Sequence, residues 1–268
     1  MQSRFRGLLG LWGMLAASWC CAAGPAGAVA QSPEQPGRHP TSLRDAPRAV
    51  TGTFSIVAVD PESGVCGAAV ASKYPAVGTV VPYVRAGVGA FCTQHWHEPK
   101  WGERALDLLA KGKLPEEVLG ELLRDDKNRD KRQLAIIDMQ GRAANRNPAN
   151  ADPSGIYWGA MSGRYYACQG NTLTGRDVIV AMARAYEETK GTLADRLMAS
   201  LVAGDRAGGD HRGRLAAGIR VAKRGVPGCW LELQVDKSDD AVAELAKKYA
   251  RLKQEEIRNS KHEIRKKS

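Results

Sequence analysis

The sequence predicts an α+β fold in which two mainly antiparallel sheets pack face to face between layers of helices. Strand-like and helix-like segments come in blocks, in the order strands, two helices, strands, two helices, strands, helix. Doubly wound nucleotide-binding folds alternate single strands with single helices, so this order excludes them. The ordered pattern starts abruptly at Thr53, after a stretch rich in proline. A chain of 268 residues, 43% of them hydrophobic, can bury one sizeable core.

The first block consists of four predicted strands. Thr53–Asp60 is rich in β-branched and apolar residues, the letters PESG that follow are typical of a turn, and Val65–Ser72 reads as a second strand. These two strands predict a hairpin that opens the fold. Val77–Tyr83 and Gly87–Thr93 are apolar along their length, which predicts short strands covered on both faces.

The rest of the chain continues the block order. Apolar residues spaced by three and four predict helices, and short apolar or β-rich runs predict strands. The predicted helices are Trp101–Lys111, one that begins at Pro115, Thr174–Thr189, Leu193–Ala203 and one that begins at Asp239. The predicted strands are Gln133–Asp138, Ile156–Met161, Tyr165–Gln169, Arg214–Ala222 and Cys229–Val235.

The positive charge of the chain is concentrated at its two ends. Residues 1–52 hold five arginines against two acids, and residues 247–268 hold nine lysines and arginines against three acids, so only +1 of the net +10 falls on 53–246. A near-neutral body with only 6% aromatic residues argues against nucleic acid as a partner. We expect the basic tail, residues 246–268, to be solvated and partly helical. Contact with phosphate or an anionic cell envelope is the alternative.

The first 30 residues have the pattern of an export signal. Two arginines precede an apolar stretch at 8–23, and the small-x-small sequence at 28–30 is typical of a cleavage site. The apolar stretch is too short and too interrupted by glycine to predict a membrane span, and a lipid anchor at Cys20 or Cys21 is the weaker alternative. Residues 31–52 read as a Pro-rich linker or propeptide and 53–245 as the folded domain. We therefore expect an exported protein, periplasmic or extracellular.

The cysteines and histidines do not form a recognisable metal site. An exported chain could pair Cys66, Cys92, Cys168 and Cys229 in up to two disulfides, and buried free thiols are the alternative. His95 and His97 could point to one side of a strand, but no third ligand stands at a recognisable spacing. We read this segment as a surface loop and expect neither a metal nor a cofactor.

Several motifs resemble one bacterial family. In chain order they are Thr53–Gly64 (TFSIVAVDPESG), Ala71–Lys73 (ASK), Val80–Ala90 (VVPYVRAGVGA), Thr93-Gln94, Gln169–Asn171 (QGN), Gly204-Asp205, Gly208–Asp210 (GGD) and Arg212–Arg214 (RGR). The chain is similar, over residues 53–245, to the domain of unknown function 1028 family. The resemblance implies a four-layer αββα sandwich of the N-terminal-nucleophile (Ntn) hydrolase type. It does not imply a substrate, because none is generally established for the family.

The Ntn type implies that the first residue after processing is the nucleophile, here Thr53. Its own α-amine would act as the base, since an α-amine titrates near about 7.7–8.0 and is partly neutral at working pH. Gly52 before it suits cleavage, because glycine tolerates the strained backbone of such a turn. The alternative is that Thr53 merely begins a strand, as threonine often does.

The resemblance also suggests partners for Thr53. Arg85 stands where related folds carry a lysine, although an arginine cannot shuttle a proton. Asn171 and the backbone of Gln169-Gly170 would stabilise the oxyanion at a strand-to-helix junction. Asp210 would hold the Thr53 amine. Side chains predicted to line the substrate pocket are Ser72, Lys73, Gln94 and Arg212, with Arg214 as an alternative carboxylate-binding arginine. Each of these residues also has an ordinary structural explanation, as a turn, a cap or an ion pair.

The sequence therefore favours an exported hydrolase that acts on an amide or peptide-like bond. A non-catalytic binding or scaffold protein on the same fold, associated with the cell envelope, is the alternative. The partner expected is a small-molecule or peptide-like substrate. The sequence leaves a homo-oligomer open, since sandwich sheets with exposed edges often pair.

Overall fold

The computed structural model of the protein describes residues 52–148 and 157–267. The strands are β1 (Thr53–Asp60), β2 (Val65–Ser72), β3 (Pro82–Arg85), β4 (Gly89–His95), β5 (Arg132–Asp138), β6 (Ala143–Arg146), β7 (Tyr157–Gly163), β8 (Tyr166–Leu173), β9 (Ala216–Lys223) and β10 (Leu231–Val235). The helices are α1 (Val77–Val80), α2 (Trp101–Ala110), α3 (Pro115–Leu123), α4 (Asp177–Glu188), α5 (Leu193–Arg206) and α6 (Ala241–Lys267). The predicted signal and nearly all of the linker lie outside the described residues.

The strands form two antiparallel sheets. The larger has six strands in the order β10-β9-β2-β1-β8-β7, and the smaller has four in the order β3-β4-β5-β6. The hairpin of β1 and β2 is confirmed, with Thr53 opposite Ser72 and Asp60 opposite Val65. β1 also pairs with β8, which places Thr53 opposite Asn171. The start of β1 therefore lies between the ends of two neighbouring strands.

Three apolar layers hold four structural layers together, which confirms the predicted α+β sandwich. One layer packs α4, α5 and α6 against the outer face of the six-stranded sheet. A second lies between the sheets and includes Val57, Val59, Cys92 and Ile137. A third packs α2 and α3 against the outer face of the four-stranded sheet. Successive side chains of a strand point to opposite faces, so both faces of β1 are buried.

One predicted strand is a helical turn in the structure, and one observed strand was not predicted. The segment expected as one strand, Val77–Tyr83, forms a single helical turn, α1, before β3 begins at Pro82. Gly78 of α1 packs closely against Gly218 of β9. A Cβ on Gly78 would lie only 3.1 Å from the Cα of Gly218. This tertiary contact overrides the β preference of the valines. Strand β6 was not predicted, because four residues are too few for a clear alternation.

α6 runs without interruption from Ala241, so the predicted boundary between 245 and 246 falls inside a helix. Within the described residues no helix is both long and apolar enough to cross a membrane. The four cysteines present there, Cys66, Cys92, Cys168 and Cys229, are free, which is the free-thiol alternative.

Candidate functional site

The layer between the sheets changes from apolar to polar at the end where β1 begins. Strand β1 starts there, β2, β4 and β8 finish there, and β5 begins there, so polar residues distant in sequence meet. The buried polar residues of this end are Thr53, Ser55, Ser72, Gln94, Gln133, Gln169 and Asn171. Buried polar groups need hydrogen-bond partners, and these side chains supply most of them to one another, while Gln169 Oε1 has no hydrogen-bond partner among the described residues. We call these seven residues the polar cluster.

Thr53 is fully buried and its hydroxyl belongs to a short hydrogen-bonded line. Thr53 Oγ1 donates to Ser72 Oγ at 3.0 Å, and Ser72 Oγ donates to the carbonyl oxygen of Gly52 at 2.5 Å. The backbone N–H of Tyr74 also donates to Ser72 Oγ, at 3.0 Å. One hydroxyl thus uses its single donor on the Gly52 carbonyl and accepts twice. The line connects the hydroxyl of Thr53 with the carbonyl of the peptide bond that precedes it.

Gly52 occupies a closed space in front of Thr53. Its N–H donates to Asn171 Oδ1 at 2.6 Å, and its φ is +85°, in the region that favours glycine. A Cβ placed on Gly52 would lie 1.4 Å from Arg212 Nη2 and 2.1 Å from Asp210 Oδ2. The residue before Thr53 therefore has no room for an L side chain.

Gln133 connects the two sheets at this end. Its Oε1 accepts from Gln94 Nε2 at 2.7 Å and from Asn171 Nδ2 at 2.8 Å. Its Nε2 donates to Asn147 Oδ1 at 2.9 Å and to the carbonyl oxygen of Gly170 at 2.8 Å. All four hydrogen bonds of the carboxamide are made. Because Asn171 Nδ2 is held by Gln133, Asn171 Oδ1 faces the N–H of Gly52.

Gln94 and Gln169 surround the hydroxyl of Ser55. Ser55 Oγ donates to Gln94 Oε1 at 2.7 Å, and Gln169 Nε2 donates to Ser55 Oγ at 3.4 Å. Gln94 Nε2 also reaches the carbonyl oxygen of Thr53, at 3.3 Å. Gln169 and Gly170 lie inside β8, which continues to Leu173. The strand-to-helix junction expected at these residues therefore lies further along the chain, because β8 pairs with β1 through Asn171.

Asp210 and Arg212 close the site beside Gly52. The Asp210 carboxylate is 1% exposed and pairs with Arg212 Nη2 at 3.0 Å, while its Oδ1 accepts from the Arg212 backbone N–H at 3.0 Å. Leu173 forms an isolated antiparallel bridge with Asp210, which ties this loop to the end of β8. Arg214 pairs with Asp205 and so is engaged elsewhere. Of the two candidate arginines, the structure brings Arg212 to Gly52.

Lys73 and Arg85 differ in their relation to the site. Lys73 is exposed directly after Ser72, and its Nζ lies 4.0 Å from the Cβ position of Gly213. Arg85 instead lies at the β3–β4 turn, opposite Gly89, and pairs with Glu103 at 2.5 Å and Asp107 at 2.7 Å on α2. That turn is at the end of the four-stranded sheet opposite His95. This placement corrects the expectation that Arg85 stands beside Thr53, since counting along strands ignored the helical turn α1.

His95 lies at the rim of the polar end, where its ring packs edge-on against Trp158 with ring centroids 4.6 Å apart. It has a φ of +65°, an unusual value for a residue with a side chain. Its neighbour His97 is fully buried, so the segment is not the surface loop that was expected. In the part of the chain that the structure describes, no group of three His, Cys, Asp or Glu residues could hold a metal ion.

The ring of His95 predicts a loss of stability in acid. Burial, with Lys131 and Arg132 nearby, lowers the pKa of His95 to about 4. Between about pH 6.5 and 4 the unfolded histidine binds a proton that the folded one does not, so the free energy of unfolding falls as pH falls. We expect a decrease of about 1–2 kcal/mol, allowing for partial exposure of the ring. Urea unfolding of the wild type and His95→Gln at pH 7 and 4.5 measures it. An equal decrease in both proteins contradicts the assignment.

Gln133 and Asn147 are members of the site that the sequence reasoning missed. Gln133 was read only as the first residue of a strand, and Asn147 follows a strand that was not predicted. The available signal was a glutamine at the start of a strand that is otherwise apolar, because buried strands seldom carry an unpaired carboxamide.

The fold and the polar end define the class of protein. It is a two-sheet α+β sandwich whose buried polar residues gather around the start of its first strand. The chain belongs to the family of unknown function DUF1028, whose sequence model matches residues 53–245. It is similar to the crystal structure of protein SPO2555 from Silicibacter pomeroyi, of the same family, with 31% identity and a TM-score of 0.68 over 75% of this chain and 86% of that one. No curated protein matches the chain.

Proposed function

We propose that the protein is an exported Ntn hydrolase that cleaves an amide or peptide-like bond, with Thr53 as its nucleophile after cleavage of the Gly52–Thr53 bond. The observation that carries this proposal is the line from Thr53 Oγ1 through Ser72 Oγ to the Gly52 carbonyl. A nucleophile, a proton acceptor and a polarised carbonyl are the parts that acyl transfer requires. The export pattern at residues 1–30 supports the localisation.

The first step frees the amine of Thr53. Thr53 Oγ1 attacks the carbonyl carbon of Gly52 and forms a C–O bond, and its hydroxyl proton is transferred to the Thr53 nitrogen. The C–N bond breaks, and an ester joins Gly52 to the Thr53 side chain. Water then hydrolyses this ester, which leaves a carboxylate on Gly52 and a free α-amine on Thr53. The hydrogen bond from Ser72 Oγ to the Gly52 carbonyl oxygen stabilises the charge that develops there.

The same groups then hydrolyse the amide bond of an external substrate. The α-amine of Thr53 takes the hydroxyl proton, Thr53 Oγ1 bonds to the substrate carbonyl carbon, and the proton goes to the departing amine. Water hydrolyses the ester and restores Thr53. The Asp210 carboxylate lies beside the position of Gly52, so it can hold the new amine. Ser72 and Gln94, with Lys73 at the rim, line the space that the substrate would enter.

The starting residue of the mature chain tests the proposal. Protein purified from its native host is expected to begin at Thr53 by intact mass and N-terminal sequencing. The same material is then assayed against a panel of acyl amides and small lactams. A mature chain that retains Gly52 and hydrolyses the panel contradicts the mechanism, because no free amine stands at Thr53.

A second candidate function is a non-catalytic binding or scaffold protein associated with the cell envelope. It is favoured by the closed state of the uncleaved site, in which Thr53 is 0% exposed and Gly52 fills the space before it. A chain that keeps this state binds its partner elsewhere. In that case Thr53→Ala leaves ligand affinity unchanged, and no member of the amide panel is hydrolysed.

A further inference from the structure

We propose that the bond this site cleaves has glycine or a D-amino acid on its acyl side, and that this residue is itself N-acylated. The substrate class is then an N-acylglycyl or N-acyl-D-aminoacyl amide. The inference rests on the proposed function and specifies its substrate. It is drawn from the way the folded chain already holds Gly52, the acyl-side residue of the bond next to Thr53.

Gly52 is held by the groups that a substrate would meet. Its carbonyl oxygen accepts from Ser72 Oγ at 2.5 Å, and its N–H donates to Asn171 Oδ1 at 2.6 Å. These two hydrogen bonds bind the backbone of the acyl residue on both sides of its α-carbon, at the carbonyl oxygen and at the N–H. Departure of Gly52 leaves the acceptor and the donor in place, so an incoming acyl residue with an amide N–H and a carbonyl satisfies both.

The position of an L side chain on the α-carbon of the acyl residue is blocked. An L side chain on Gly52 would begin 1.4 Å from Arg212 Nη2 and 2.1 Å from Asp210 Oδ2, far inside van der Waals contact. The Arg212 guanidinium could swing away only by giving up its pair with Asp210. The Asp210 carboxylate is 1% exposed and accepts a hydrogen bond from the backbone N–H of Arg212 at 3.0 Å. The wall that faces an L side chain therefore combines a buried carboxylate, Asp210, with the end of the longer and partly exposed Arg212 side chain.

The backbone conformation of Gly52 also favours glycine or a D residue over an L residue. At a φ of +85° an L residue is strained, whereas glycine and D residues adopt positive φ readily. A D residue also directs its side chain along the other α-hydrogen, which does not overlap the position blocked by Arg212 and Asp210. The steric wall and the backbone angle are independent observations, and both disfavour an L residue.

The orientation of Asn171 explains why the acyl residue should carry an N–H. Gln133 Oε1 holds Asn171 Nδ2, so only the oxygen of Asn171 is available toward the acyl residue. An N-methylated acyl residue has no hydrogen to donate and leaves that buried oxygen unpaired. Sarcosine is therefore expected to be a poor substitute for glycine, although its α-carbon is equally small.

The test compares acyl residues that differ only at the α-carbon or nitrogen. Mature protein is assayed with the p-nitroanilides of N-acetyl-glycine, N-acetyl-D-alanine, N-acetyl-L-alanine and N-acetyl-sarcosine. We expect kcat/KM for the glycine and D-alanine compounds to exceed that for L-alanine by about a hundredfold, the cost typical of a misplaced reacting carbonyl. Arg212→Ala should narrow this ratio, because it removes part of the wall. Hydrolysis of the L-alanine compound within threefold of the glycine compound overturns the inference and leaves the proposed function standing.

Cleavage of the chain itself provides a measurement that needs no external substrate. Gly52→Ala is expected to slow release of Thr53 by about a hundredfold, and a semisynthetic chain with D-alanine at 52 should be cleaved far faster than the L-alanine chain. Intact mass against time follows both. Equal rates for the two chains overturn the inference. Failure of the wild-type chain to cleave or to hydrolyse any amide instead refutes the proposed function, and the inference falls with it.

Discussion

Thr53→Ala is expected to abolish both release of the mature N-terminus and hydrolysis of any amide substrate, with a loss of at least about a thousandfold in rate. The substitution removes Oγ1, the atom that attacks, and leaves Ser72 Oγ donating to the Gly52 carbonyl. Ser72 cannot replace it in amide hydrolysis, because its hydroxyl has no free α-amine of its own to act as base. Intact mass of the purified chain measures the first loss, and the amide panel measures the second.

Two variants separate loss of the nucleophile from loss of the fold. Thr53→Ser retains the hydroxyl and should keep cleavage and hydrolysis within about tenfold of the wild type. Arg85→Ala should leave both unchanged and cost at most about 1 kcal/mol, since its pairs with Glu103 and Asp107 are partly exposed at the far end of the sheet. If Thr53→Ala is cleaved at the same bond as the wild type, an external protease releases the chain.

Gln133→Leu is expected to destabilise the protein by about 3–5 kcal/mol. The side chain is fully buried, and leucine of similar size makes none of its four hydrogen bonds. Gln94 Nε2 keeps a bond to the Thr53 carbonyl, but Asn171 Nδ2 and the carbonyl of Gly170, both on buried residues, lose the hydrogen bonds that Gln133 makes with them. Each buried group left unpaired costs about 1–3 kcal/mol. Urea unfolding followed by circular dichroism gives the change in the free energy of unfolding.

Gln140 provides the matched control for this substitution. It is an exposed glutamine in the turn after β5, with a weak contact from Arg142 at 3.4 Å. Gln140→Leu should change the free energy of unfolding by less than about 0.5 kcal/mol. A similar small effect of Gln133→Leu is the outcome that would falsify the network as drawn. In Gln133→Leu the side chain of Asn171 is no longer held by residue 133, so the rate of cleavage after Gly52 should also fall. Gln140→Leu should leave that rate unchanged.

The sequence was sufficient for features set by local pattern. Strands β1 and β2 were predicted with the bounds that the structure has, because a β-rich run, a turn and a second run are adjacent in the chain. The short turn sets the register of the two strands, and this register is what places Ser72 opposite Thr53. The amphipathic helices α2 to α5 were likewise visible in their apolar spacing. These features depend on neighbours within one or two dozen residues.

Only the tertiary structure decided which distant polar residues meet. Gln133 lies 38 residues from Asn171 and 39 from Gln94, and their contact depends on how the two sheets face each other. Counting along strands placed Arg85 beside Thr53, but the turn α1 and the β3–β4 hairpin send it to the opposite end. The start of strand β1 at Thr53 was determined by the sequence itself. The closed space around Gly52, the orientation of Asn171 and the wall formed by Asp210 and Arg212 come from packing across the sandwich, because no local pattern specifies a contact between sheets.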